Sequence, residues 1–221
     1  SAALWALPVL LITAVALTWL YRSSTYRIFD DPINSAVTSL IAAANVPDSG
    51  DLADMSLSRE PTDPRYDRGL SGRYWLIGTL SDTGEISPIK ASVSLTGETL
   101  QLKPKDAVAL LENSGKDMAL RSTGPDGEPL RVIADVVTLP NAAQPVIILA
   151  ANDSRPATRA VRQFALIASG LLAFLSIGLV TALFSQVRVG LRPLFDLRDR
   201  VANVREGRAT RVDGNYPSEI Q

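Results

Sequence analysis

A catalytic serine triad and an imidazole zinc site both need histidine, and this chain of 221 residues has none. A phosphoaccepting histidine is excluded from these residues on the same ground. There is no cysteine either, so no disulfide framework exists, which a periplasm tolerates without requiring it. Two sets of side chains could still do chemistry. Asp48, Asp51 and Asp54 lie three apart in one polar stretch, and carboxylate oxygens suit Mg²⁺ or Ca²⁺. Their spacing matches no cation-loop pattern, so a solvated acidic loop is the simpler reading and no metal site is assigned. Tyr74 and Trp75 could floor a ligand pocket, although paired aromatics in a strand more often belong to a sheet core. Together the five residues form the candidate sensor surface. No constellation supports acid–base or nucleophilic catalysis. With a net charge of −1 and a pI of about 5.5, nothing points to nucleic acid.

The elements that would position these residues begin with two apolar stretches. Ala2 to Tyr21 is uncharged up to Arg22, and no charge lies between Arg162 and Arg188. Each apolar run is about 20 residues, enough to cross roughly 30 Å of hydrocarbon at about 1.5 Å per residue. In lipid such a run must be helical, because nothing else satisfies its backbone groups. Trp19 and Tyr21 suit a membrane interface. A signal peptide with Ala14-Val15-Ala16 as its cleavage-like site is the alternative for the first run; the apolar character that continues through Leu20 favours an anchor. A buried core helix is the alternative for the second. These features predict transmembrane helices over 1–21 and 164–187. Arginines flank the second run on both sides, so charge bias orients it weakly.

Between them, 22–163 has the length of one domain. Asp31 is a candidate N-cap and Pro32 a candidate first helical residue. Ile33, Val37, Leu40, Ile41 and Ala44 then share one face, and Asn45 and Pro47 stop the helix, which continues from the first span. Val46 to Ser71 reads as a long polar loop. The period then changes to two. Tyr74, Leu76, Gly78 and Leu80 alternate with Arg73, Trp75, Ile77 and Thr79. Ile89, Ala91, Val93 and Leu95 are expected inward, opposite Lys90, Ser92, Ser94 and Thr96. Asp82-Thr83-Gly84 turns between these strands. Pro104 to Asn113 is a weak helix with Val108 and Leu111 inward. Gly124-Pro125-Asp126-Gly127 joins Met118–Ser122 to Leu130–Leu139, and Val146–Ala151 is a last strand. One helix followed by five antiparallel strands predicts an α+β domain.

After the second run, 188–221 opens with Leu194, Leu197, Val201 and Val204, spaced three, four and three. That is an a/d seam that requires a partner helix. Gly207 breaks it, 208–215 is a turn-rich connector, and Pro217 and Glu219 start another helix. Here Gly190-Leu191-Arg192-Pro193-Leu194, the seam, Gly207 and Pro217-Ser218-Glu219-Ile220 resemble a HAMP linker, in which Pro193 follows the membrane and Glu219 opens the second helix. Asp63-Pro64-Arg65-Tyr66, Ser71-Gly72-Arg73-Tyr74-Trp75 and Gly127-Glu128-Pro129-Leu130-Arg131 resemble the periplasmic part of PhoQ-like two-component sensor histidine kinases. Those kinases often carry Gln where this chain has Leu76. Their dense acidic cation surface has no counterpart here, so cation sensing is not carried over.

The resemblance implies a PAS/PDC-like α+β extracytoplasmic sensor domain between two transmembrane helices, followed by a partial HAMP coiled coil. It implies a multi-pass protein of the bacterial inner membrane, with the sensor in the periplasm and a homodimer in the bilayer. It further implies a kinase beyond Gln221 that uses ATP and Mg and acts on a cytoplasmic response regulator; the fragment itself needs no cofactor. A chemoreceptor scaffold and a HAMP-linked nucleotide cyclase are the alternatives. The few polar groups on the inferred strands, and the long 46–71 loop, favour a macromolecular input such as a small periplasmic regulatory protein.

Overall fold

The computed structural model describes the backbone of residues 2–205 and the side-chain surroundings of residues 8–189. The chain divides into two units, 18–164 and 1–17 with 165–221.

In the 18–164 unit, the helix α1 (Ala2–Ala43) contributes its second half. Its stripe of Ile33, Val37 and Leu40 is fully buried, with Phe29, Ile41 and Ala44 packed beside it. Contrary to the sequence expectation, Asp31 and Pro32 do not start this helix but lie inside it. An interior proline forfeits a backbone hydrogen bond and costs about 3 kcal/mol in an isolated helix. Burial of the stripe that begins at Phe29, before the proline, outweighs that cost. The helix ends as expected, before Asn45 and Pro47.

Five strands form one antiparallel sheet: β3 (Arg73–Leu80), β4 (Ile86–Ala91), β5 (Met118–Thr123), β6 (Pro129–Val137) and β7 (Val146–Asp153), ordered β4-β3-β7-β6-β5. The α+β class is therefore observed. The sheet is covered on both faces. On one, Trp75, Ile77, Ile133, Ile148 and Ala150 meet the α1 stripe. On the other, Tyr74, Leu76, Val132, Ile147 and Leu149 meet Leu95, Leu100, Leu102 and the short helix α2 (Pro104–Glu112) through Leu110. Double coverage explains why β7 reads as a continuous apolar run rather than an alternation.

Three local expectations are corrected. The stretch 46–71 is not a plain loop. Ser56–Leu57 (β2) pairs antiparallel with Ala44–Asn45 (β1), and 3-10 turns occupy Leu52–Asp54 and Pro64–Asp67. Buried Leu52, Met55 and Tyr66 pin it to the α1 core. Second, β4 ends at Ala91, and Val93–Leu95 is a 3-10 turn. Val93 faces outward at 66% exposed, while Ser92 and Ser94 are buried. Their hydroxyls explain the reversal: Ser92 Oγ accepts from Trp75 N at 3.1 Å, and Ser94 Oγ donates to the Arg73 carbonyl at 2.6 Å. The register shift at Ile77/Gly78 had already broken the alternation. Third, α2 buries Ala107 and Leu110, leaving Val108 and Leu111 outside.

Helix α3 (Arg155–Arg205) begins in the 18–164 unit and continues in the other, and over Arg155–Val189 it is long and apolar enough to cross a membrane by length and composition. Leu166, Ile167, Phe174, Ile177 and Phe184 are exposed on it. Val9, Leu11, Ile12 and Val15 of α1 are exposed too. Exposed apolar area of this extent marks contact with lipid or another chain. Backbone α3 passes through Pro193. The side chains of Pro193, Leu194, Leu197, Val201 and Val204 lie outside the described residues, as do Gly207, the 208–215 connector, Pro217 and Glu219.

Candidate relay site where the helices join the sheet

The end of the sheet that meets both long helices concentrates the polar contacts of the 18–164 unit. Asp30 of α1 and Arg131 at the start of β6 form a two-pronged ion pair, Nε–Oδ1 at 2.9 Å and Nη2–Oδ2 at 2.7 Å. The two side chains are 23% and 20% exposed, so the pair is partly desolvated and is worth more than an open surface bridge. The Arg131 guanidinium also lies 5.8 Å from the Tyr26 ring centre, and Arg22 lies at the same distance from that ring. One turn earlier on α1, Tyr21 stacks on Phe164 of α3 with ring centres 4.0 Å apart.

At the root of α3, Asp153 Oδ1 accepts from Arg155 N, the first N–H of the helix, at 2.8 Å, while Oδ2 pairs with Arg155 Nε. Asp153 N donates to the carbonyl of Gly72, and Ser154 N to that of Pro129. The first helical turn is thereby tied to the starts of β3 and β6. Beneath it, Glu128 is buried and accepts from the Tyr74 hydroxyl at 2.5 Å. Burial first, and then the Glu128 carboxylate, push the Tyr74 hydroxyl up. Glu128 Oε2 and Asn152 Oδ1 are buried without a partner among the described residues. A Cβ at Gly124 would meet the Glu128 carboxylate, which would then have to shift.

A second network organises the 46–71 stretch. Asp63 caps the Pro64–Asp67 turn through Arg65 N and pairs with the side chains of Arg65 and Arg73. The hydrogen bond from Arg65 is the main cause that holds the Asp63 carboxyl down, from 3.8 to about 2. This network therefore contributes stability above pH 3.8 that is lost as pH falls through about 2. Ser71 Oγ donates to the Arg65 carbonyl at 2.6 Å.

The five sequence candidates do not converge. Asp51 caps the Leu52–Asp54 turn through Ala53 N, Asp48 accepts from Asn141 Nδ2 at 3.1 Å, and Asp54 is exposed. Tyr74 and Trp75 are buried on opposite faces of the sheet, Tyr74 against Glu128 and Trp75 in the α1 core. Neighbours in a strand point to opposite faces, so these two share no pocket and do not belong to a surface. Residue-type scanning missed the Asp30–Arg131 and Tyr74–Glu128 pairs, which span 101 and 54 positions. The three short segments that carry the PhoQ-like resemblance do meet in these networks, through Asp63, Arg73, Tyr74, Glu128 and Arg131.

Removing the Tyr74 hydroxyl tests the buried pair. Tyr74→Phe leaves Glu128 without its donor, and a lost hydrogen bond to a charged group costs about 1.5–3 kcal/mol. A lowered denaturation midpoint is expected; an unchanged one would show that Glu128 is satisfied by other means.

A model of the HAMP domain of PhoQ-like sensor proteins matches residues 191–221. That segment is similar to a PhoQ-like HAMP sequence. The chain as a whole is similar to the sensor protein kinase CarS of Pseudomonas aeruginosa, at 25% identity over 221 residues, covering 96% of this chain and 44% of that protein. The chain thus spans less than half the length of the curated relative it matches. No solved structure matches it. Among characterised proteins it resembles the PhoQ-like, HAMP-containing sensor histidine kinases.

Proposed function

We propose that this chain is the receptor and relay part of a sensor histidine kinase of the bacterial inner membrane. The observation that carries the reading is the order of parts along α3: the helix leaves a sheet domain at Arg155, runs through an exposed apolar segment, and enters a HAMP sequence at 191. A helix that joins these three can pass a displacement at the sheet to the HAMP seam. The exposed apolar face of α1 over 8–20 serves as a second span, which makes the protein multi-pass with 22–163 in the periplasm. The HAMP seam needs a second helix, so the working unit is a homodimer. A parallel bundle with two packings supplies the bistable element that such a relay requires. Beyond the HAMP segment, an ATP- and Mg-dependent kinase would act on a cytoplasmic response regulator. The input reaches the sheet domain, with a small periplasmic protein as one candidate for it.

A topology experiment tests this. A reporter active only in the periplasm should work when inserted near Gly84, in the Ser81–Gly84 turn, and should be silent when fused after Gly207. The reverse pattern, or activity at both sites, sinks the assignment.

A further inference from the structure

The junction carries a set of exposed arginines, most of which make no ion pair among the described residues. On α3, Arg155, Arg159 and Arg162 are exposed and spaced four and three apart, so they fall within about 60° of one another around the helix. The buried Ala157 and the half-buried Val161 and Phe164 lie roughly on the opposite side. Arg22 and Arg27 of α1 are exposed as well. Arg155 is held by Asp153. Among the described residues, Arg22, Arg27, Arg159 and Arg162 have no carboxylate within ion-pair distance.

Their level along the helices is read from Tyr21, an aromatic of the kind enriched at membrane interfaces, which stacks on Phe164. At about 1.5 Å per residue, Arg22 lies about 1.5 Å beyond that pair, Arg162 about 3 Å, and Arg159 and Arg27 about 7.5–9 Å. The headgroup layer beyond the hydrocarbon is roughly 5–8 Å deep on each side. Arginine extends its stem along apolar surface and keeps its head in the polar layer, and its planar fork matches phosphate oxygens. Topology does not explain the cluster. Positive charge favours the cytoplasmic side, and under the proposed function these residues lie on the other one.

We propose that Arg22, Arg27, Arg159 and Arg162 form a collar that binds the phosphates of anionic phospholipids in the leaflet facing the sheet domain. The proposal rests on the membrane-spanning reading of α1 and α3 but not on which side the sheet domain faces. The occupant is a lipid phosphate rather than a free anion, because the collar sits at the headgroup level around two apolar helices. Bound there, anionic lipid would clamp the helices next to the Tyr21–Phe164 contact and the Arg131–Tyr26–Arg22 cluster, where displacement must pass.

The test uses the full chain in a neutral detergent, titrated with phosphatidylglycerol or with phosphatidylcholine of the same acyl chains, with retained lipid counted by native mass spectrometry. Phosphatidylglycerol should be retained in preference. Each Arg→Gln change at 22, 159 or 162 should lower that preference by about fivefold, as expected for one basic residue at a charged surface. Val9→Gln, in the apolar run, should not change it. Far-UV circular dichroism keeps the variants comparable. Equal retention of the two lipids, or undiminished preference in the R22Q/R159Q/R162Q triple variant, overturns the proposal. So does full competition by inorganic phosphate, which would mark a free-anion site. A reversed reporter pattern with intact lipid preference would overturn the orientation and leave the collar standing, on the cytoplasmic leaflet. A chain that stays soluble without detergent would remove the membrane reading and the collar together.

Discussion

Under the proposed function, Leu197→Asp combined with Val201→Asp should abolish stimulus-dependent output from the full-length receptor, a fall of at least about tenfold. The two positions are the centre of a seam spaced three, four and three from Leu194 to Val204, inside the segment that matches the HAMP family. In a parallel pair of helices each such position packs against its twin, so the double change places four carboxylates in one apolar seam. An unpaired buried charge costs several kcal/mol, well above the about 1.4 kcal/mol that a factor of ten requires. The helices then separate, or register against each other differently, and the relay loses one of its two states. Asp199→Lys, on the outer side of the same heptad, is the matched control and should leave output within about twofold, since surface changes of this kind stay within about 0.5 kcal/mol. Crosslinking across the seam should fall with the double change and persist in the control. Unaltered crosslinking and signalling in the double variant would show that the seam is no interface.

The second large effect concerns the sheet. Leu76→Ala and Ile77→Ala should each destabilise the 18–164 unit by about 2–5 kcal/mol, because each leaves a cavity in a different, fully buried layer. A sheet with one wet face would show the loss at only one of these neighbours. Val93→Ala should cost under about 0.5 kcal/mol, since that side chain is 66% exposed. Denaturation of a chain with Trp5→Phe and Trp19→Phe, followed through the fluorescence of the buried Trp75, measures all three. A loss at Val93 matching that at Ile77 would restore the alternation that the structure reverses.

That reversal shows where reading residues in order stops. Periodicity carried the broad layout. A stripe at Ile33, Val37 and Leu40 specifies one helix face, and turn residues such as Gly124–Gly127 specify a hairpin, because both are local backbone chemistry. The apolar length of the α3 run was also legible, for it follows from the uncharged sequence alone.

Only the tertiary structure decided the rest. Whether Asp31-Pro32 begins a helix or sits inside one depends on burial of the stripe around it, which outweighs the missing hydrogen bond. Whether Ser92 or Val93 points inward depends on what the serine hydroxyls reach, namely backbone groups of Trp75 and Arg73 on a neighbouring strand. The aspartates at 48, 51 and 54 look alike in sequence; the local backbone makes one a cap, gives one an asparagine partner and leaves one in solvent. The pairs at the relay junction, Asp30 with Arg131 and Tyr74 with Glu128, join residues far apart in the chain. No local rule relates such residues, because the first pair needs the sheet to close against α1 and the second needs β3 and β6 to flank β7 in one sheet.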